Sequence, residues 1–223
     1  TTITGSASSA AGAVVLLQVA GDATFTGAVE IDGNTGAATS DATLDFDGSG
    51  QTITFTAGLD IGDNTGDGHL TLTGAGAQTV VGVIDGNAAS EGTITVTNTG
   101  SAAVIFEDNI GATATLQEIL ILDSGSGVTF KGTVAVDNAG DDQAAIAVTN
   151  NMTVNFEKDV NLVAAANDQD NLTLGGSGAV VGLTGTSAQT FTGNISGGGI
   201  LNVTNTAGAT VSGDAGTTGT ALA

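Results

Sequence analysis

Apolar and polar residues alternate along this chain in short runs that recur with a period of about 26 residues, a spacing typical of stacked repeats. In the clearest run, Leu70-Thr71-Leu72-Thr73-Gly74, two apolar residues alternate with threonine before a turn residue. The residue two places after each start is apolar, and the residue four places after it is Gly, Asn or Ser, which suit tight turns. Such columns in register indicate a stacked repeat protein. The predicted repeat starts are Leu17, Leu44, Leu70, Ile94, Leu120, Ile146, Leu172 and Leu201.

Each repeat contains three short segments that predict strands, because apolar and polar positions alternate along them. The second segment usually ends in phenylalanine, at Phe25, Phe55, Phe106, Phe130, Phe156 and Phe191. Three strands and three turns in about 26 residues predict one coil of a parallel β-helix, since a propeller blade needs about 40 residues or more. We therefore expect one all-β domain over residues 1–223, a β-solenoid with about eight rungs of three strands. The crossover rule favours a right-handed coil.

Two stretches of the chain repeat over a longer distance. The segment from Gln78 to Thr99 is similar to the segment from Gln189 to Thr206. The two glutamines are roughly 110 residues apart, and this spacing predicts that a block of about four rungs was duplicated.

The charge of the chain excludes several classes of partner. The formal net charge is −21, and Lys131 and Lys158 are the only basic residues. A chain without a cationic surface is not expected to bind nucleic acid or an anionic membrane. The apolar run from Val14 to Leu17 is too short to span a bilayer, so no membrane insertion is expected. The chain begins at Thr1 without a leader pattern, and we interpret it as a mature or excised segment.

One set of charged residues is predicted to form a ladder. Glu107, Lys131 and Glu157 each follow one of the aligned phenylalanines. Stacked rungs would place Lys131 between the two carboxylates on a solvent-facing surface. We predict a structural ladder there, contributing about 0.5 kcal/mol per exposed pair.

Aspartate clusters are the candidate metal sites. Asp45 and Asp47 begin a calcium-loop-like segment that lacks the acidic twelfth residue, and Asp60, Asp63 and Asp67 form a second cluster. Two interpretations stay open: oxygen-rich turns that bind Ca²⁺, and ordinary turns stabilised by Asp and Asn side chains, which is the favoured one. No other cofactor is expected.

The residue types needed for catalysis are scarce. His69 is the only histidine, and the chain has no Cys, Trp or Tyr. A zinc site or a nucleophile–base pair would need partners that His69 lacks, and sugar cleavage would lack an aromatic binding platform. We therefore expect a protein that is not an enzyme.

Two segments carry a family resemblance. Residues Gln78–Phe106 and Gln189–Gly213 are similar to the Gly/Thr/Asn-rich repeats of bacterial autotransporter passengers, in particular those of rickettsial and other alphaproteobacterial outer-membrane surface antigens. The resemblance implies a right-handed parallel β-helix outside the cell, at the bacterial surface. It brings no active-site residues.

The expected function is that of an extracellular structural protein. Both ends of the chain have strand-like sequences without a polar cap, so the chain is expected either to continue a longer solenoid or to stack head to tail into a homopolymer. An adhesin that binds a host-surface glycan and the stem of a phage tail fibre are the alternatives.

Overall fold

The computed structural model describes residues 2–4, 13–17, 21–32, 42–48, 50–62, 68–100, 102–124, 127–138, 144–149, 151–162 and 171–216. Every regular element in these residues is a strand. In chain order the strands are β1 (Thr2–Thr4), β2 (Ala13–Leu17), β3 (Ala23–Phe25), β4 (Val29–Asp32), β5 (Ala42–Phe46), β6 (Gln51–Phe55), β7 (Leu59–Ile61), β8 (Gly68–Leu72), β9 (Gln78–Val81), β10 (Ile84–Gly86), β11 (Thr93–Asn98), β12 (Val104–Phe106), β13 (Glu118–Ser124), β14 (Val128–Phe130), β15 (Val134–Val136), β16 (Ile146–Val148), β17 (Thr153–Phe156), β18 (Val160–Leu162), β19 (Asn171–Leu174), β20 (Val180–Leu183), β21 (Gln189–Thr192), β22 (Asn194–Gly197), β23 (Ile200–Val203) and β24 (Ala209–Ser212).

The strands stack into three faces in which all described pairs are parallel. Face I contains eight strands in the order β2-β5-β8-β11-β13-β16-β19-β22, and face II contains eight in the order β3-β6-β9-β12-β14-β17-β20-β23. Face III consists of two four-stranded sheets, β1-β4-β7-β10 and β15-β18-β21-β24. Ile110 joins them through single bridges to Ile84 and Val134. The chain thus visits the three faces in turn, and the predicted parallel β-solenoid is confirmed.

The core lies inside the coil and is built from alternate residues of each strand. In β5, for example, Ala42, Leu44 and Phe46 are at most 2% exposed, while Thr43 and Asp45 between them are half-buried. Because parallel strands pair in register, equivalent side chains stack into columns along the axis. Phe106, Phe130 and Phe156 form such a column on face II, with ring centroids 5.0 and 5.3 Å apart. Burial of these columns supplies the hydrophobic stabilisation of the stack.

Five predicted repeat starts lie in one column of face I: Leu44, Leu70, Ile94, Ile146 and Leu172. The other three were predicted wrongly. Leu17 pairs with Phe46, so Val15 takes the place in register with Leu44. Ile119 takes the place assigned to Leu120, and Leu201 pairs with Val181 on face II.

These errors have physical causes. The start at Leu17 has the parity of Val15 and lies two residues too late, a shift that alternation within a run of four apolar residues does not exclude. Ile119 to Leu122 is also a run of four apolar residues, and here alternation cannot say which pair points inward. Hydrogen bonding to the neighbouring strands determines which side chains face the core. Ile119 and Ile121 are buried, while Leu122 is 43% exposed.

The phenylalanine column was also predicted as longer than it is. Phe25 stacks on Phe55, with ring centroids 5.3 Å apart, but this pair lies outside the column of Phe106. That column continues through Val80 to Ile53, which comes two residues before Phe55. Phe191 lies on face III, in register with Val160, and meets Phe156 edge to face inside the coil.

Two neighbouring substitutions test this register. Ile146→Asp should destabilise the fold by about 4 kcal/mol or more, because Ile146 is fully buried and the new carboxylate would have no partner. Leu120→Asp is the matched control, since half-buried Leu120 lies on the outward side of the adjacent strand. It should change the free energy of unfolding far less. Urea unfolding followed by circular dichroism measures both, and equal losses would contradict the register.

Candidate functional site

The predicted charge ladder lies on face II. Glu107, Lys131 and Glu157 follow the stacked phenylalanines, and the Nζ of Lys131 donates a hydrogen bond to Oε1 of Glu107 at 2.7 Å. The hydrogen bond to Glu107 and the negative charges of Glu107 and Glu157 raise the pKa of Lys131 against the opposing effect of desolvation. The predicted contact between Glu107 and Lys131 is therefore present. Both side chains are about one-third exposed, so this pair contributes little to stability and mainly favours the correct register.

The candidate calcium ligands that the structure describes lie on two different faces. Asp45 lies on the outward side of face I, where its Oδ1 accepts a hydrogen bond from the Thr73 hydroxyl at 2.7 Å. Asp47 follows the same strand, whereas Asp60 lies on face III. Asp63 and Asp67 lie outside the described residues. Within the described ranges, no group of three or more His, Cys, Asp or Glu side chains is arranged to hold a metal ion.

The structure reveals an acidic column that the sequence reasoning missed. Glu30, Asp60 and Asp85 are in register on consecutive strands of face III. Partial burial, together with the charges of Asp85 and then Glu30, raises the pKa of Asp60. The signal in the sequence was the central acidic residue of Val29-Glu30-Ile31 and Leu59-Asp60-Ile61. The third member, Asp85, was hidden because Val83-Ile84 suggests a strand that begins at Val83. The strand begins at Ile84 instead, and Val83 is 38% exposed.

Asp and Asn side chains also connect one rung to the next. Their Oδ atoms accept hydrogen bonds from backbone N–H groups of neighbouring turns at 2.7 to 3.0 Å: Asp22 from Thr52, Asp85 from Thr113, Asp108 from Gly82, Asn109 from Thr133, Asp159 from Thr190 and Asn194 from Asp214. These bonds satisfy donors near strand ends, where the regular ladder stops. The four aspartates among them thus have a structural use.

Two pairs of amide side chains are buried at corners of the coil. In the first, Gln78 and Asn98 are 0% exposed. The Nε2 of Gln78 donates to the carbonyl of Phe46 at 2.7 Å, and the Nδ2 of Asn98 donates to Oε1 of Gln78 and to the carbonyl of Gly76, both at 2.7 Å. The Oδ1 of Asn98 accepts from the N–H of Gly100. We call this arrangement the first bracket; it connects β5, β9 and β11, which belong to three successive turns of the coil.

The second bracket repeats these contacts. The Nε2 of Gln189 donates to the carbonyl of Phe156 at 2.9 Å and also to that of Lys158. The Nδ2 of Asn205 donates to Oε1 of Gln189 at 3.2 Å and to the carbonyl of Ser187 at 2.8 Å. The Oδ1 of Asn205 accepts from Ala207 N–H. The long-distance sequence similarity therefore corresponds to a shared structural unit.

The two brackets occupy different corners. Gln78 begins β9 on face II and Asn98 ends β11 on face I, whereas Gln189 begins β21 on face III and Asn205 follows β23 of face II. Relative to the faces, the second bracket therefore lies one face further along the coil than the first. This rotation explains why the predicted start at Leu201 lies on face II and why Phe191 lies on face III.

Two candidates remain, His69 and one open groove. His69 lies on β8 with Thr43 and Thr93 as its neighbours in register. An open groove of 360 Å³ borders Phe55, Gly58, Gly82, Val83 and Asp108 at the corner between faces II and III. The carboxylate that lines it, that of Asp108, already accepts the N–H of Gly82. A glycine backbone and an occupied carboxylate offer a ligand few directed contacts.

No family, curated protein or solved structure gives a significant match to this chain.

None of the described residues forms a helix with the length and apolar character needed to cross a bilayer.

The first bracket can be tested with a double-mutant cycle. Gln78→Leu and Asn98→Leu should each lower the free energy of unfolding by about 1–3 kcal/mol, because each leaves a buried polar group of its partner unpaired. The double variant should lose less than the sum of the two. Urea unfolding followed by circular dichroism measures all three. Strict additivity would show that the two amides do not act together.

The acidic column predicts a pH dependence of stability. Because the pKa of Asp60 is raised in the folded state, the folded protein binds the extra proton, and stability falls as pH rises through this raised pKa. Asp60→Asn removes that loss. The variant should melt at a higher temperature than the parent at pH 7, and the difference should vanish near pH 3, below the ordinary value of 3.8. A variant less stable than the parent at pH 7 would contradict the repulsion.

Proposed function

We propose that this chain is a non-enzymatic, extracellular structural protein: a β-solenoid subunit of a bacterial surface coat or fibre that stacks head to tail through its end strands. The observation that carries the proposal is the apolar edge at β23. Val203 is 50% exposed, whereas Leu183, its partner in register on β20, is fully buried. Val211 on β24 is likewise half-buried beside buried Phe191. An apolar strand edge of this kind favours addition of another strand.

The opposite end offers a matching surface. Phe25 on β3 is only partly buried, although Phe55, on which it stacks, is 1% exposed. All strands of a face run in the same direction, so a copy added head to tail would continue parallel pairing on each face. A head-to-head contact would reverse the strand direction. Heterologous contact of this type grows into filaments.

The outer surface supports a structural role. Several of its acidic residues accept backbone hydrogen bonds between turns, others form a same-charge column, and an ion pair joins Lys131 to Glu107. The resemblance of the two bracket segments to autotransporter passenger repeats supports the proposed location at the cell surface.

Self-association is tested by changing one exposed apolar residue at the edge. The purified chain should form oligomers that grow with concentration, and Val203→Lys should abolish them, because a charge would have to be buried at the junction. Analytical ultracentrifugation and negative-stain electron microscopy, with and without a chelator, measure the assembly. Loss of the oligomers when the chelator is present would indicate that a divalent cation takes part in the junction.

The matched control is Leu122→Lys. Leu122 is 43% exposed but lies on β13, in the middle of face I. This variant should assemble like the parent chain. Monodisperse monomers of the parent chain at every concentration would overturn the proposal. Equal loss of assembly in both variants would contradict the assignment of the junction to the β23 edge.

A further inference from the structure

The second bracket lies directly beside the edge strand on which the proposed assembly depends. Asn205 comes two residues after Val203 and is 8% exposed, although its neighbours Thr204 and Thr206 are exposed. Its side chain makes three hydrogen bonds, and its backbone N–H donates to the carbonyl of Leu183 on β20. The end of β23 is therefore held by contacts that do not require a strand on its outer side.

The bracket also reaches deep into the stack. Gln189, which pairs with Asn205, is 3% exposed and donates to two carbonyls of the preceding turn, those of Phe156 and Lys158. Asn205 is thus tied through Gln189 to a turn that is itself paired on both sides. Among the described strands, β23 pairs only with β20. A strand with one paired edge would otherwise fray, because the backbone groups on its other edge face water.

We infer that the Gln189–Asn205 bracket is a positioning device that keeps the open edge of β23 extended and ready to accept a parallel strand from a second copy of this chain. This inference rests on the proposed head-to-tail assembly and names the residues that prepare its junction.

The chemistry of the edge fits this partner. In a parallel pair, alternate residues direct both backbone groups towards one neighbour. Ile200 and Thr204 donate to carbonyls at the inner edge, those of Ala179 and Leu183. The backbone groups of Leu201 and Val203 therefore face the open side, and their apolar side chains continue two inward columns of face II. A partner must supply backbone donors and acceptors in an extended strand with apolar inward residues, which the strands of this chain do. Holding the edge in that conformation beforehand lowers the entropy lost on association.

The first bracket gives a matched internal control. Asn98 makes the same set of contacts as Asn205, but β11 is paired on both sides, with β8 and β13. Loss of the first bracket should therefore lower stability without freeing an edge strand. Asn205→Leu and Asn98→Leu differ only in where the bracket lies.

Hydrogen exchange measured by mass spectrometry tests the device in the full chain, below any assembly concentration. Asn205→Leu should lower the protection of the amides in the segment 200–204 that face β20, such as those of Ile200 and Thr204, by roughly tenfold or more. This is the loss expected when a buried hydrogen-bonded pair is broken, and β11 should remain unchanged. Asn98→Leu should leave residues 200–204 unchanged. Asn205→Asp keeps the acceptor for Ala207 but loses both donors, so it should not rescue protection. Unchanged exchange at 200–204 in Asn205→Leu would overturn the inference.

Ultracentrifugation of the same variants separates this inference from the proposed function. At temperatures where both remain folded, Asn205→Leu should associate at least about tenfold more weakly than the parent, and Asn98→Leu should associate like the parent. Equal association of the two variants would overturn the inference while the proposed function stands. If the parent chain never associates, the proposed function fails, and loss of protection at 200–204 would still establish the bracket as a clamp on β23.

Discussion

Parallel backbone pairing between successive turns is the interaction on which the rest of this structure depends. It forces equivalent residues into columns, so every strand must present apolar side chains at alternate positions of one fixed parity. It also brings backbones close together at the corners. A Cβ added to Gly74 would lie 2.2 Å from the carbonyl oxygen of Gly48, and one added to Gly100 would lie 2.0 Å from that of Ala75. These glycines are needed for contact between turns. The absence of proline follows from the same ladder, which needs every backbone donor.

The polar residues serve the same ladder at the places where it is interrupted. Outward Asp and Asn side chains accept N–H groups between turns, and the two buried brackets satisfy amide and carbonyl groups inside the corners. A chain with charge −21 would be expected to suffer from self-repulsion. Here the carboxylates that accept backbone hydrogen bonds offset part of that cost. The acidic column around Asp60, whose pKa is raised, shows where the repulsion remains.

The sequence predicted strands and their inward faces correctly where apolar and polar residues alternate clearly. It could not do so where several apolar residues follow one another. Runs such as Leu70-Thr71-Leu72 predicted the strands, their inward faces and their stacking, and Glu107 and Lys131 were placed in contact from their position after aligned phenylalanines. Ile119 to Leu122 could not be resolved, because a run of four apolar residues satisfies both parities and only the neighbouring strands choose between them. The acidic column was missed since its members are unequally spaced along the chain. The buried brackets join residues 16 to 20 positions apart, and no local pattern marks such a pair.

The rotation between the brackets has a consequence for how such a chain can grow. The two glutamines lie roughly 110 residues apart, which at about 26 residues per turn is four turns and one additional face. The repeated segment does not close a whole number of turns, and its corner forms the same contacts at another edge of the coil. A coil whose corners are interchangeable in this way can gain or lose a single strand and keep its pairing. With turns about 4.8 Å apart, the rod could then be adjusted in steps of about 1.6 Å, one-third of a turn.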